Sequence, residues 1–161
     1  MSMLLNLLIA SYLLFSGGAQ KMDYYRYAAT VAKQNGINED LYLALIYVES
    51  SWNSRASNRH CYGLSQMKPS TASEIAGKKI TGRYLKNNPY ESLKLGARYL
   101  AKLLAINHGN VKLAITSYYY GPYYYANEDN HYFEKVLRAA VIIYEYDGVY
   151  LYTKNSLWAF L

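Results

Sequence analysis

Apolar residues recur at helical spacing from Tyr24 onward, and short polar stretches separate the apolar stripes. Gly or Asn-Gly follows several stripes and is typical of a helix end, whereas Asn or Pro precedes others and is typical of a helix start. We predict helices over about 23–34, 39–52, 71–77, 89–109, 111–119 and 131–146, with a loop over 54–68. Because there is no internal repeat and no alternation of strands with helices, we predict an all-α single domain.

Three of these helices carry specific start signals. Asn38 precedes an apolar stripe and is followed by two acidic residues, which suit the positive end of a helix dipole. Pro89 follows an asparagine and occupies the first helical position, where proline is favoured. Thr71 and Glu74 have the spacing of a capping box, so we predict that Thr71 starts the short third helix.

The two ends of the chain differ from the predicted domain at 20–148. Residues 1–19 are mostly apolar and end in the small residues SGGA, as a cleaved signal peptide does, although no Lys or Arg precedes Lys21. An uncleaved anchor or a buried first helix is the alternative, and the run is short for a transmembrane helix. Residues 149–161 are apolar without a decisive period, so their role stays open.

Charge and aromatic content leave several kinds of partner open. Lys and Arg outnumber Asp and Glu by 17 to 11, and the formal charge of +6 suits nucleic acid, anionic lipid or an acidic wall polymer. The 21 tyrosines supply flat amphipathic rings that suit sugars, bases and interfaces alike. The basic stretch 78–86 is compatible with a groove for a polyanion, but it is also typical of a solvated surface after a helix end.

The sequence gives little support to metal or thiol chemistry. His60, His108 and His131 show no i, i+4 spacing, and Cys61 is the single cysteine, so we predict neither a zinc site nor an intramolecular disulfide. A reactive Cys61 would need a placed base and an orienting group, so a loop or core cysteine is the simpler interpretation. We predict no metal and no cofactor.

Glu49 occupies an unusual position on its predicted helix. With about 100° between successive helical residues, Glu49 lies about 80° from Leu41, at the edge of the apolar stripe. A carboxyl half-buried against Leu45 and Trp52 would have a raised pKa, which suits a general acid working near neutral pH. A solvated glutamate at the helix edge is the ordinary alternative.

Four motifs, in order along the chain, connect this glutamate with a known family. They are Glu49-Ser50; Gly63-Leu64-Ser65-Gln66 with Pro69 and Thr71-Ala72; Gly96-Ala97-Arg98-Tyr99-Leu100; and Ser117-Tyr118-Tyr119-Tyr120-Gly121-Pro122. From about Asp40 to Tyr146 the chain resembles the soluble lytic transglycosylases of the goose-type-lysozyme-like superfamily. Two positions depart from the family pattern: Ser65 stands in place of a cleft methionine, and Tyr119 in place of an asparagine.

The resemblance implies a lysozyme-like helical domain with a two-lobed substrate cleft and Glu49 as the catalytic residue. In this family one glutamate cleaves the β-1,4 bond between N-acetylmuramic acid and N-acetylglucosamine of peptidoglycan and leaves a 1,6-anhydromuramic product. Substrate-binding roles are implied for Ser57 near the acetamido group, Gln66 in the cleft, Tyr118 with its hydroxyl close to the catalytic carboxyl, and the departures Ser65 and Tyr119. Ser57 as a turn residue, Gln66 as a loop-capping amide and Tyr118 as a core ring are the ordinary alternatives.

The resemblance also implies an exported protein of the periplasm or cell envelope, or alternatively of a phage virion. Peptidoglycan glycan strands are the expected partner, a larger envelope-spanning machine or virion is a further one, and nucleic acid is not expected. Membrane contact would involve only residues 1–19, if they are uncleaved. Two other functions stay open: a hydrolytic lysozyme on the same fold, and a non-catalytic wall-binding module for polyanions.

Overall fold

The structure is a computed structural model, and it describes residues 19–122 and 131–146. Within these residues the chain forms seven α-helices and no β-strand beyond isolated bridges. The helices are α1 (Ala19–Gln34), α2 (Glu39–Ser50), α3 (Pro69–Ala76), α4 (Gly82–Asn87), α5 (Pro89–Ile106), α6 (Val111–Tyr120) and α7 (His131–Tyr146). The predicted all-α class is therefore confirmed.

A large hydrophobic core lies around α2, which packs mainly against α7 and α1. Every residue of α2 from position 41 to position 46 is buried, so this helix is apolar on nearly all sides and crosses the middle of the core. Helices α5 and α6 pack on each other, and α5 also packs on α1. We call this part of the molecule the large lobe.

A second, smaller core forms the other side of the molecule. It consists of the buried residues Met67, Ala72, Ile80, Leu85 and Leu95, which come from the loop after α2, from α3, from the connection between α3 and α4, from α4 and from α5. Tyr99 on α5 packs against both cores. We call residues 54–88 the small lobe, and the two cores give the predicted two-lobed architecture.

Most predicted helix boundaries are confirmed by the structure. The side chain of Asn38 accepts a hydrogen bond from the Leu41 amide at 3.0 Å, and Pro89 is the first residue of α5. Helix α1 ends at Gln34 as expected, and it already includes Ala19, the first described residue, four residues before the predicted start. Helix α6 ends within one residue of its predicted end, and all of the described residues 131–146 are helical, as predicted for α7.

Three details of the prediction are wrong. Helix α3 begins at Pro69, so Thr71 lies inside the helix and does not cap it. Helix α2 ends at Ser50, and Trp52, which is buried, follows in a left-handed turn with φ 63°. Helix α4 was not predicted because it has six residues with only Leu85 buried, a pattern too short to show a period.

Two predicted segments lie outside the described residues. These are the apolar N-terminal segment up to residue 18 and the tail at 149–161, together with the predicted end of α7 at Asp147-Gly148. Among the helices that the structure describes, none combines the length and the apolar character needed to cross a membrane.

Candidate active site

A cavity of about 190 Å³ lies between the two lobes. The large lobe lines it with Glu49, Tyr118 and Tyr119, and the small lobe lines it with Asn58, Cys61, Gln66, Met67, Lys68 and Thr71. The cavity therefore collects four of the six residues predicted for the site: Glu49, Gln66, Tyr118 and Tyr119.

Glu49 projects from the last turn of α2 into this cavity. Burial raises the pKa of its carboxyl to about 7, against opposing effects from the Tyr132 hydroxyl and the positive charge of Lys135. Desolvation is the largest effect because α2 crosses the core and leaves the Glu49 side chain half-buried. The expected rise in pKa is confirmed, and the group can give or take a proton near neutral pH.

Tyr132 is a site residue that the sequence did not reveal. Its hydroxyl, on the first turn of α7, donates a hydrogen bond to Oε1 of Glu49 across 83 residues of sequence. Burial and the neighbouring carboxylate raise the pKa of this phenol well above its ordinary value, so the hydroxyl keeps its proton and remains a donor. Tyr132 was predicted only as part of the helix at 131–146.

Tyr119 covers the outer face of this pair. Its ring stacks on that of Tyr132 with centroids 4.5 Å apart and planes inclined by 24°. Tyr119 is 58% exposed, so one side of the ring contacts Tyr132 while much of the rest faces the cavity and solvent. Three side chains thus follow in order from the core outward: Glu49, Tyr132 and Tyr119.

Tyr118 lines the same cavity but directs its hydroxyl elsewhere. The hydroxyl donates to the carbonyl oxygen of Ser65 at 2.9 Å, and the ring packs on Tyr99 with centroids 5.2 Å apart. Tyr118 still lies near the carboxyl, as the resemblance implied, because the Glu49 charge is among the causes that raise the pKa of its phenol. The hydrogen bond to the Glu49 carboxylate comes from Tyr132. Tyr118 therefore joins α6 to the motif segment of the small lobe and forms a wall of the cavity.

Gln66 has φ 42° and lines the cavity from the small lobe. Its side-chain amide nitrogen donates to the carbonyl oxygens of Ala56 at 3.0 Å and Gly63 at 2.8 Å. These two bonds use both amide hydrogens and hold the loop in shape. The amide nitrogen thus makes the loop-capping contacts of the alternative interpretation, while Gln66 also lines the cavity and its sugar binding stays a prediction.

Two predicted substrate-binding residues do not line the cavity. Ser65 is fully buried, and its hydroxyl donates to the carbonyl oxygen of Ser92 at 2.7 Å, so the side chain lies behind the wall of the cavity and its role toward substrate stays a prediction. The cause is the close approach of α5, because a Cβ at Gly96 would clash with the Ser65 side chain. Ser57 is exposed and forms an isolated bridge with Tyr62, and it is absent from the cavity lining.

The remaining polar groups give no metal site. Within residues 19–122 and 131–146, no three His, Cys, Asp or Glu side chains lie close enough to hold a metal ion. Cys61 lines the cavity, and burial together with the nearby Glu49 carboxylate raises the pKa of its thiol, which keeps it in the unreactive protonated form.

Comparison with known proteins agrees with this geometry. The family model described as the transglycosylase SLT domain matches residues 26–136, and the chain belongs to this family. The structure is similar to that of the lytic transglycosylase Slt from Pseudomonas aeruginosa, solved by X-ray methods as an inactive glutamate-to-glutamine variant. The TM-score is 0.63 at 26% sequence identity, and the match covers 73% of this chain. The match spans only 23% of that protein's length.

Proposed function

We propose that this protein is a peptidoglycan lytic transglycosylase whose catalytic domain spans residues 20–148. The observation that carries the proposal is Glu49, a carboxyl with a pKa of about 7 that opens into a cavity between two lobes. Membership of the SLT family supports it. The similar Pseudomonas enzyme is named a lytic transglycosylase and was solved as an inactive variant of a glutamate, which is also consistent.

A single carboxyl in the described cavity supports this type of reaction. Glycosidases that hydrolyse their substrate usually use two carboxylates, one of them to activate water or to attack the sugar. Glu49 is the only Asp or Glu among the residues that line the described cavity. In the reaction that we propose, the same group acts first as an acid and then as a base.

The proposed steps balance without water. Protonated Glu49 gives its proton to the oxygen that bridges N-acetylmuramic acid and N-acetylglucosamine, and the bond from that oxygen to C1 breaks. The substrate's acetamido group stabilises C1 while the glycan fragment that keeps the bridging oxygen leaves. Glu49, now a carboxylate, takes the proton of the C6 hydroxyl, whose oxygen bonds to C1 and closes the 1,6-anhydro ring. Glu49 is protonated again at the end of the cycle.

The neighbouring tyrosines support these two roles of Glu49. A hydrogen bond from Tyr132 stabilises the carboxylate that exists between the two proton transfers, while burial favours the protonated form that starts the cycle. The exposed part of the Tyr119 ring suits the apolar face of a sugar. Tyr118 shapes the wall of the cavity through its bond to the Ser65 carbonyl.

The proposed substrate supports a location at the cell envelope. Peptidoglycan lies outside the cytoplasmic membrane, so we propose that the protein is exported to the periplasm, with delivery in a phage virion as the alternative. Residues 1–19 support export through their apolar composition. Local opening of the wall for a larger envelope-spanning machine is the role that we propose for so small a domain.

The test is digestion of purified peptidoglycan by the wild-type protein and by Glu49→Gln, with the products read by mass spectrometry. We expect anhydro-muropeptides from the wild type and at least a hundredfold lower rate from the variant, about the contribution of one acid-base group. Reducing-ended products from the wild type would contradict the proposal and indicate a lysozyme. No release from either protein would indicate a wall-binding module.

A further inference from the structure

The net charge of the chain lies entirely in the small lobe. Residues 54–88 contain seven of the 17 Lys and Arg residues but one of the 11 Asp and Glu residues, which leaves +6. The rest of the chain contains ten basic and ten acidic residues, so its formal charge is zero. The two lobes therefore differ in net charge as well as in the size and composition of their cores.

These positive charges face solvent and are not neutralised by neighbours. Six of the seven basic side chains are exposed and one is half-buried: Arg55, Arg59, Lys68, Lys78, Lys79, Arg83 and, half-buried, Lys86. Both salt bridges within the described residues use lysines of α5, and none of the seven takes part in one. The single acid of the small lobe, Glu74, lies 2.5 Å from Lys102 on α5.

The basic surface extends to the edge of the cavity. The Lys86 ammonium lies 5.8 Å from the centre of the Tyr62 ring, and the Tyr62 amide donates to the Met67 carbonyl at 3.1 Å. The next residue, Lys68, is exposed and also lines the cavity that contains Glu49. A polymer seated in the cavity would therefore have this surface beside it.

We propose that the basic surface of the small lobe binds the free carboxylates of the peptide stems on the glycan strand that occupies the cleft. The inference rests on the proposed function, because it takes peptidoglycan as the polymer in the cavity. Stem peptides branch from muramic acid and carry several carboxylates, so stems next to the cleaved bond lie beside the small lobe. At physiological ionic strength charges interact over about 8 Å, which is enough for stems that touch this surface. The small lobe would thus select strands that still carry peptides.

The test compares two variants that change the net charge equally, both in the inactive Glu49→Gln background so that turnover does not disturb binding. Lys79→Glu with Arg83→Glu reverses charge on the small lobe, and Arg26→Glu with Lys112→Glu is the matched control on the large lobe. All four side chains are exposed, and none lines the cavity. Binding is measured by co-sedimentation with sacculi that lack teichoic acid, either untreated or with their carboxylates converted to neutral amides.

We expect the small-lobe variant to bind untreated sacculi about tenfold more weakly at low salt, and the control to bind almost as well as the parent. Amidation of the sacculi should weaken binding of the parent to the level of the small-lobe variant, and it should leave binding of that variant unchanged. Thermal melts check that each variant folds, and Lys79→Gln with Arg83→Gln, which changes half as much charge, should give an intermediate loss.

An equal loss of binding to untreated sacculi in the two charge-reversed variants would overturn the inference, because it would indicate a general effect of net charge. Equal binding of the parent to untreated and to amidated sacculi would also overturn it. These results are independent of the proposed function, which is judged by anhydro-muropeptide release from the wild type. If that release occurs while binding is unaffected by the charge reversal, only the inference about the small lobe fails.

Discussion

The large and small lobes differ in the size of their cores and in their net charge. The large lobe consists of five helices, among them the apolar helix α2, and, with the rest of the chain outside 54–88, has no net formal charge. The small lobe has a core of five buried residues and carries a charge of +6. The acid Glu49 belongs to the lobe that can desolvate it, and the charged surface belongs to the lobe that is too small to bury much. The contrast suggests that proton chemistry and substrate recognition are divided between the lobes.

The first and largest expected effect tests whether the two cores are separate. Leu45 and Leu85 are both fully buried, one in each core. Leu45→Ala should lower the free energy of unfolding by about 2–5 kcal/mol, measured by urea denaturation, because it leaves a cavity in the large core. Leu85→Ala should mainly reduce hydrogen-exchange protection in α3 and α4. Equal loss of protection in α2 after Leu85→Ala would mean that the molecule has one cooperative core.

A second prediction concerns the cost of burying Glu49. Because its pKa is raised from 4.5 to about 7, the folded state binds the proton more tightly than the unfolded state does, so stability should fall as pH rises through this range. Glu49→Gln removes this cost. The variant should be more stable than the wild type at pH 8, by up to about 3 kcal/mol, and similar to it at pH 4.

Thermal melts at the two pH values measure this difference. Glu134→Gln, on the exposed side of α7, is the matched control and should show no such pH dependence. If Glu49→Gln is no more stable than the wild type at pH 8, the carboxyl is not desolvated as described.

A third prediction separates Tyr132 from Tyr118. Tyr132→Phe removes the hydrogen bond that favours the Glu49 carboxylate, so the pKa of Glu49 should rise. The fall of the rate with increasing pH should then occur at higher pH, and the rate at its optimum should drop about tenfold. Tyr118→Phe, whose lost hydroxyl bonds the Ser65 carbonyl, should leave the position of this fall unchanged. A shift with Tyr118→Phe and none with Tyr132→Phe would reverse the two assignments.

The smallest expected effect is that of Tyr119. Tyr119→Leu removes the ring that stacks on Tyr132 and should shift the pH profile in the same direction as Tyr132→Phe, with a rate loss of about threefold. In the Tyr132→Phe background it should produce no further shift, because it would act on Glu49 through the Tyr132 hydroxyl. Tyr90→Leu is the control, because Tyr90 is also exposed but does not line the cavity. A further shift in the double variant would show that Tyr119 acts on Glu49 directly.

The helices could be predicted from the sequence where nearby residues determine the start or end of the helix. Asn38 caps α2 and Pro89 begins α5 because these residues act on backbone groups within one turn. The raised pKa of Glu49 followed from the apolar stripe of its own helix. In contrast, the six residues of α4 were too few to show a period, and Thr71 failed as a cap because Pro69 starts the helix two residues earlier.

The rest of the site depends on contacts between distant segments. The hydrogen bond from Tyr132 to Glu49 joins α7 to α2, and one tyrosine among 21 carries no local mark of that role. Ser65 is buried because Gly96 allows α5 to approach it closely. The position of Ser65 within its sequence motif does not reveal this contact. The resemblance located the segments that form the cavity, but the roles of individual side chains required the packing of the lobes.

The central claim, that one buried carboxyl acts as both acid and base so that no water is consumed, can be tested by digestion of peptidoglycan in water enriched in oxygen-18. The account predicts 1,6-anhydro products whose masses are the same in ordinary and in enriched water at the time of cleavage. Products heavier by one molecule of labelled water would contradict it, because they would show that water attacks C1.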